Sequence, residues 1–391
     1  MKRRKFCYYA ALGSAFAFDV ISGNFASAIY SKPSAKLVRK WVVLYWMPYD
    51  NDLSMFGELI TKMIIDGTKE SEASVVVQSD YSDETSMRRH QITNGAISRI
   101  NVRLGEDSSD VSAFSAYLDW AHQTFEAEHW VVIVVGHGGK INEVSPDDHT
   151  ATQKTRTWMQ VDQFAKVISN FNEATNGRVE LLFFQNCNKA TLEVIYEARN
   201  CARYTLASQL NLGAPNYYYE SFLKHLQNLS VGGREAAIAI MDAERLDMYH
   251  TLTLVDNQAV KKIPEKLSNV LQSILVAQLP TVKQSELPTH YYFGEQHCDL
   301  LLLLNYLSKV SGRGASELVE FTDFLRSSVI THYKAGGELY NYSPFRETSM
   351  QELCGLSLYF PKDRKAINRY SSLALYQQVD LKSLYAKILA V

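Results

Sequence analysis

Residues 41–47, WVVLYWM, form an unbroken apolar run between a polar stretch at 31–40 and the turn-forming Pro48-Tyr49-Asp50-Asn51-Asp52. A run this short and this uniformly apolar suits a strand buried on both faces. Further runs at 74–78, 130–135, 179–184 and 204–208 read the same way. Helical stretches fall between them, at about 53–68, 110–125, 161–170 and 190–201. Asp110 supplies cap chemistry for the second of these. Residues 87–100, broken at Asn94-Gly95, predict a hairpin, because Asn-Gly favours a tight two-residue turn. Residues 140–157 are polar and read as a loop. Farther on, 259–277, 298–310 and 315–332 read as helices, and 355–360 as a late strand stopped by Pro361. Buried strands alternating with helices predict an α/β fold. Its central sheet is mostly parallel with helices on both faces, and a helical or mixed C-terminal extension follows.

Composition changes little in this picture. Apolar residues make up 46% of the 391 and charged residues 21%, as in a folded globular protein. A net charge of -2 gives no basic surplus for nucleic acid, so none is expected as a partner. The start of the chain reads as an address. Lys2-Arg3-Arg4-Lys5 is a positive region, 8–20 is apolar apart from Asp19, and Ala26-Ser27-Ala28 fits the small-x-small cleavage pattern. Residues 1–28 are therefore expected to be a signal peptide. Arg3-Arg4-Lys5-Phe6 is also similar to a twin-arginine signal. Residues 29–40 would be a linker, 41–230 the core, and 231–391 a part completing or extending the same domain. The expected location is periplasmic, cell-surface or secreted. No later stretch is long and apolar enough to span a bilayer. The cysteines at 7, 187, 201, 298 and 354 are too few for a disulfide scaffold and lack zinc-ligand spacing.

In a sheet of this kind, ligands bind beyond the carboxyl ends of the strands. Two strand ends are abrupt. One is Gly136-His137-Gly138-Gly139 and the other is Gln185-Asn186-Cys187, the cysteine lying 50 residues after the histidine. Taken singly, His137 also reads as a turn residue and Cys187 as a small core residue. Taken together, they end strands expected to be neighbours, where an imidazole could reach a thiol. A helix beginning near Cys187 would lower its thiol pKa.

Four segments then carry a resemblance to the clostripain-like cysteine peptidases: 41–53, 130–139, 184–199 and 355–361. The resemblance implies a caspase-like fold and a dyad of Cys187 and His137. It also implies an oxyanion hole from the backbone N–H groups of Gly138 and Cys187, and a peptide or protein substrate. The chain departs from the family at Gln185, where an acidic residue usually precedes the nucleophile by two. Gln185 together with segment 207–219 would line the specificity pocket, giving Gln185, Ser208, Gln209, Asn216 and Tyr217 as substrate-binding candidates. Basic specificity is in doubt, and a neutral or aromatic-walled pocket is the alternative. Some relatives cut themselves between His and Cys, which makes Lys154 and Arg156 candidate sites. No cofactor is required. Calcium helps some relatives, and Asp147-Asp148 could ligate it. The protein is expected to act as a monomeric bacterial endopeptidase. The rival readings are a catalytically idle homologue that binds peptides, and an acyl transferase using the same dyad.

Overall fold

The computed structural model describes residues 35–149, 155–228, 231–245, 247–282, 286–287, 289–337 and 353–389. The signal-like segment 1–28 and the first part of the expected linker lie outside the described residues.

The chain runs through β1 Leu37–Tyr49, α1 Gly57–Thr68, β2 Ser74–Tyr81, and the hairpin β3 Arg88–Thr93 and β4 Ala96–Arg99. Next come α2 Val111–Thr124, β5 Phe125–Val135, a second hairpin of β6 Glu143–Asp147 and β7 Thr157–Gln160, and α3 Val161–Ala174. β8 Val179–Gln185, α4 Leu192–Glu197, β9 Tyr204–Ser208, α5 Tyr219–His225 and α6 Gly233–Ala243 follow. Then come β10 His250–Asp256, β11 Thr289–Tyr292, β12 Glu295–Asp299, β13 Ile330–Gly336 and β14 Ser357–Tyr359, with helices between them.

Among the described residues, nine strands form one sheet in the order β13-β10-β9-β8-β5-β1-β2-β3-β4. Its five middle strands are parallel, and β3 and β10 join antiparallel at the two sides. Helices cover both faces, so alternate residues of each middle strand enter different cores. Val42, Leu44 and Trp46 of β1 join Val132 and Val134 of β5 and Phe184 of β8 on one side. Val43, Tyr45 and Met47 join Val131, Ile133 and Phe183 on the other. This two-sided burial explains why the strands read as continuous apolar runs.

Several elements differ from the sequence expectation. β1 begins at Leu37, inside the expected linker, because its first residues pair with the start of β5, Leu37 opposite Phe125. The polar stretch 140–157 contains the β6–β7 hairpin, and Asp147 in it is fully buried. The expected helix 315–332 passes through a π-turn at Leu325–Val329 and then becomes β13, an edge strand beside β10. β10 itself had no counterpart in the expected elements. Cys298 lies in β12, and the helix expected from that point starts at Leu300, capped by Asp299. Asp299 accepts from the N–H of Leu302 and from the Gln209 amide, so it joins helix start to sheet end.

Candidate active site

β5 and β8 are hydrogen-bonded neighbours running parallel, with Val135 opposite Gln185. Their carboxyl ends turn into 136–139 and 186–191, and three features hold those loops together. The Asn186 amide donates to Gly136 O at 2.8 Å and His137 O at 3.2 Å. Gly138 lies so near the Cys187 carbonyl that a Cβ would sit 2.1 Å from that oxygen, so only glycine fits. Lys189, fully buried, donates from Nζ to Lys140 O at 2.7 Å, which joins the two loops a second time. Asn188 turns the chain just after Cys187 at φ 57°, a left-handed conformation asparagine tolerates. Its side chain is fixed between His290 and His297.

Cys187 and His137 line one cleft of about 230 Å³ with Tyr49, Leu53, Phe56, Val135 and Gly136, and with Gln185, Leu212–Ala214, Asn216 and Tyr249. Burial pushes the Cys187 thiol above its ordinary pKa, while the Leu212 N–H, the Tyr292 hydroxyl and Lys189 pull it partly back. The expected depression by a helix terminus does not arise. The helix begins at Leu192, several residues beyond the sulfur, so desolvation wins. His137 Nε2 lies 2.8 Å from Asp52 Oδ1. Desolvation works to raise the Asp52 carboxyl, yet the His137 contact holds it below its ordinary value. Asp52 follows the turn after β1, and its position beside the histidine was not legible from spacing.

The oxyanion donor expected at Gly138 is engaged. Its N–H donates to the Tyr292 hydroxyl at 3.3 Å. Tyr292 closes β11, a strand that sequence reading did not find.

The five substrate-binding candidates divide. Gln185 and Asn216 line the cleft and bond to each other, Gln185 Nε2 donating to Asn216 Oδ1 at 2.8 Å. Ser208, Gln209 and Tyr217 are not among the cleft's lining residues. Ser208 is buried against Thr251 of β10. The Gln209 amide donates to Asp299, Leu356 O and Ser357, tying the sheet end to the late strand. The Tyr217 ring lies under Arg245, 4.6 Å from the guanidinium carbon.

Lys154 lies outside the described residues. Arg156 sits just before β7, paired with Asp148 and stacked over Trp158 at 5.7 Å. That pairing separates Asp148 from Asp147, which is turned inward. Asp147 accepts from Ser108 N at 2.7 Å and from His149 N at 2.8 Å, with His149 Nδ1 at 2.9 Å. Asp107, Asp147 and His149 bring ligand-type atoms within 4.8 Å of one another. The donors on Asp147 also anchor the β6–β7 hairpin.

The clostripain family, Peptidase C11, matches residues 45–386, and the chain belongs to it. It is accordingly a cysteine peptidase, a hydrolase acting on peptide bonds. Among curated proteins none matches the chain in sequence. Solved structures share the fold. A secreted C11 cysteine protease from Bacteroides thetaiotaomicron, bound to an irreversible peptide inhibitor, is 15% identical with a TM-score of 0.68 over 88% of this chain and 99% of its own. An inactive zymogen C11 protease from Parabacteroides distasonis is 16% identical with a TM-score of 0.66 over the same shares, 88% and 99%.

Because burial dominates at the thiol, its alkylation by iodoacetamide should accelerate with pH, with a midpoint above that of free cysteine. Mass-spectrometric labelling rates at Cys187 across pH check this. A midpoint at or below the free-cysteine value contradicts the assignment.

Proposed function

We propose that the chain is an exported cysteine endopeptidase working through Cys187 and His137. One observation carries the reading: neighbouring strand ends, locked by Asn186 and the close approach at Gly138, turn both side chains into one cleft. With Asp52 accepting from Nε2–H, His137 keeps Nδ1 for proton exchange. His137 takes the thiol proton as sulfur bonds to the scissile carbonyl carbon. The N–H groups of Gly138 and Cys187 hold the resulting oxyanion. The same proton then passes to the leaving nitrogen as the C–N bond breaks, leaving a thioester. Water attacks that thioester, releasing the acid and restoring the thiol.

Endopeptidase action suits the cleft's lining. Among the described residues, no Lys, Arg, Asp or Glu lines it to grip a free terminal amine or carboxylate. Export rests on the pattern in 1–28. Among the described residues, no helix is long and apolar enough to cross a membrane. Two of the structural neighbours are described as secreted.

A peptide-library digest tests the dyad. Cys187→Ala should abolish cutting, and His137→Ala should slow it by roughly 100- to 10,000-fold. Undiminished cutting by either variant ends this reading, and a wild type that cuts nothing favours the idle homologue. Protein recovered from an exporting host should begin at Ile29 by N-terminal sequencing, whereas an intact Met1 start would refute the signal peptide.

A further inference from the structure

The cleft beside Cys187 has a polar floor, and among the described residues no Lys, Arg, Asp or Glu lines it. Gln185 Nε2 donates to Asn216 Oδ1 at 2.8 Å and to the Tyr219 hydroxyl at 2.6 Å, and Gln185 Oε1 accepts from the Tyr218 hydroxyl at 2.6 Å. Asn216 Nδ2 donates in turn to Glu244 at 2.9 Å. Glu244 lies behind this floor and is not among the lining residues. It is 4% exposed and also accepts from the N–H groups of Tyr217 and Arg245. Its carboxylate is thus occupied by three donors, one of them the cleft-lining Asn216. The walls are Tyr49, Leu53, Phe56, Leu212 and Tyr249.

A lysine or arginine entering here would lose its hydration and meet no counter-charge, which is costly. An apolar side chain would exchange water for apolar walls, which is favourable. We propose that the side chain on the acyl side of the cleaved bond is uncharged and apolar, of about leucine, methionine or phenylalanine size. Gln185 and Asn216 act as the specificity-determining pair. This rests on the peptidase reading above and deepens it.

The test is a fluorogenic peptide series identical except at that one residue, carrying Leu, Met, Phe, Gln, Lys, Arg or Asp. The best apolar member should exceed Lys and Arg by about 100-fold in kcat/KM. Asn216→Asp, alone and with Gln185→Asp, should narrow that gap by restoring a carboxylate to the floor. Lys or Arg cut as fast as the apolar members overturns the inference, and so does Cys187-dependent self-cleavage after Lys154 or Arg156. A chain that cuts no member of the series fails the peptidase reading itself and takes this inference with it.

A separate observation concerns Tyr292. Its hydroxyl accepts from the Gly138 N–H at 3.3 Å and lies beside the Cys187 thiol, whose pKa it pulls down. A substrate carbonyl oxygen must take that place, within reach of the same N–H and the same sulfur. The next residue, Phe293, sits in the exposed turn of the β11–β12 hairpin, its ring centroid 5.5 Å from Trp158 and 6.4 Å from His137. We infer that Tyr292 is a stopper, filling the oxyanion hole until the hairpin tip moves aside for substrate. Being a competitor for the site, it should act on KM. With the best apolar peptide, Tyr292→Phe removes one hydrogen-bonding group and should lower KM about fivefold while keeping kcat. Tyr292→Ala should lower it at least as far. A fall in kcat would make Tyr292 a participant in oxyanion binding instead, and constants unchanged in both variants would also overturn the stopper.

Discussion

The site depends on the parallel pairing of β5 with β8. Backbone hydrogen bonds fix the two strands side by side to their last residues, with Val134 opposite Phe184 and Val135 opposite Gln185. Two chain segments 50 residues apart therefore leave the sheet at one level. What keeps the loops in contact beyond that level is polar and steric. Asn186 is 1% exposed and spends its amide donor on two carbonyls of the histidine loop. Gly138 permits a backbone approach that any Cβ would prevent. Burying the Asn186 amide is tolerable because those carbonyls satisfy its donors. Only neighbouring strands could present them at that distance.

Much of this was legible in the chain. Residues 41–47, 130–135 and 179–184 face apolar layers on both sides, so their sequence alone marks them as central strands. The rule that ligands gather beyond the carboxyl ends then points to the two loops carrying His137 and Cys187, which line one cleft. The sheet's margins were not legible. β10 mixes His250, Thr251 and Thr253 with leucines, and those polar groups are buried by partners remote in sequence, Ser208 for Thr251 and Gly355 O for Thr253. β13 is half-buried along its length and follows a helix without punctuation, so a helical reading runs straight through it. The β6–β7 hairpin looks like a loop because Pro146, Asp147 and Asp148 are turn residues by composition. Asp147 is nevertheless buried, held by Ser108 on a segment 39 residues earlier.

Within the site the same boundary applies. Local sequence points to Cys187 but not to its electrostatics, because the sign of the thiol shift depends on where the next helix begins and how much protein covers the sulfur. Gln185 came from the family pattern ahead of Cys187, and Asn216 from the segment expected to line the pocket. Ser208 and Gln209 belong to the same segment but face the sheet's own joints, with β10 and with the late strand. Asp52 and Tyr292 stand 85 and 154 residues from their contacts, His137 and Gly138, and no spacing rule joins them.

Lys189 shows how burial and charge are coupled beneath the nucleophile. It is fully buried, and burial lowers its pKa to about 7 against the pull of Glu143 and Glu295. Below that value it carries a charge that favours thiolate at Cys187. Above it the charge is lost, and desolvation of the sulfur is opposed mainly by the Leu212 N–H and the Tyr292 hydroxyl. The support for thiolate therefore weakens over the range where bulk pH would otherwise ionise the thiol. Burial thus favours the protonated thiol at Cys187. That setting accords with attack in which proton removal and bond formation occur together.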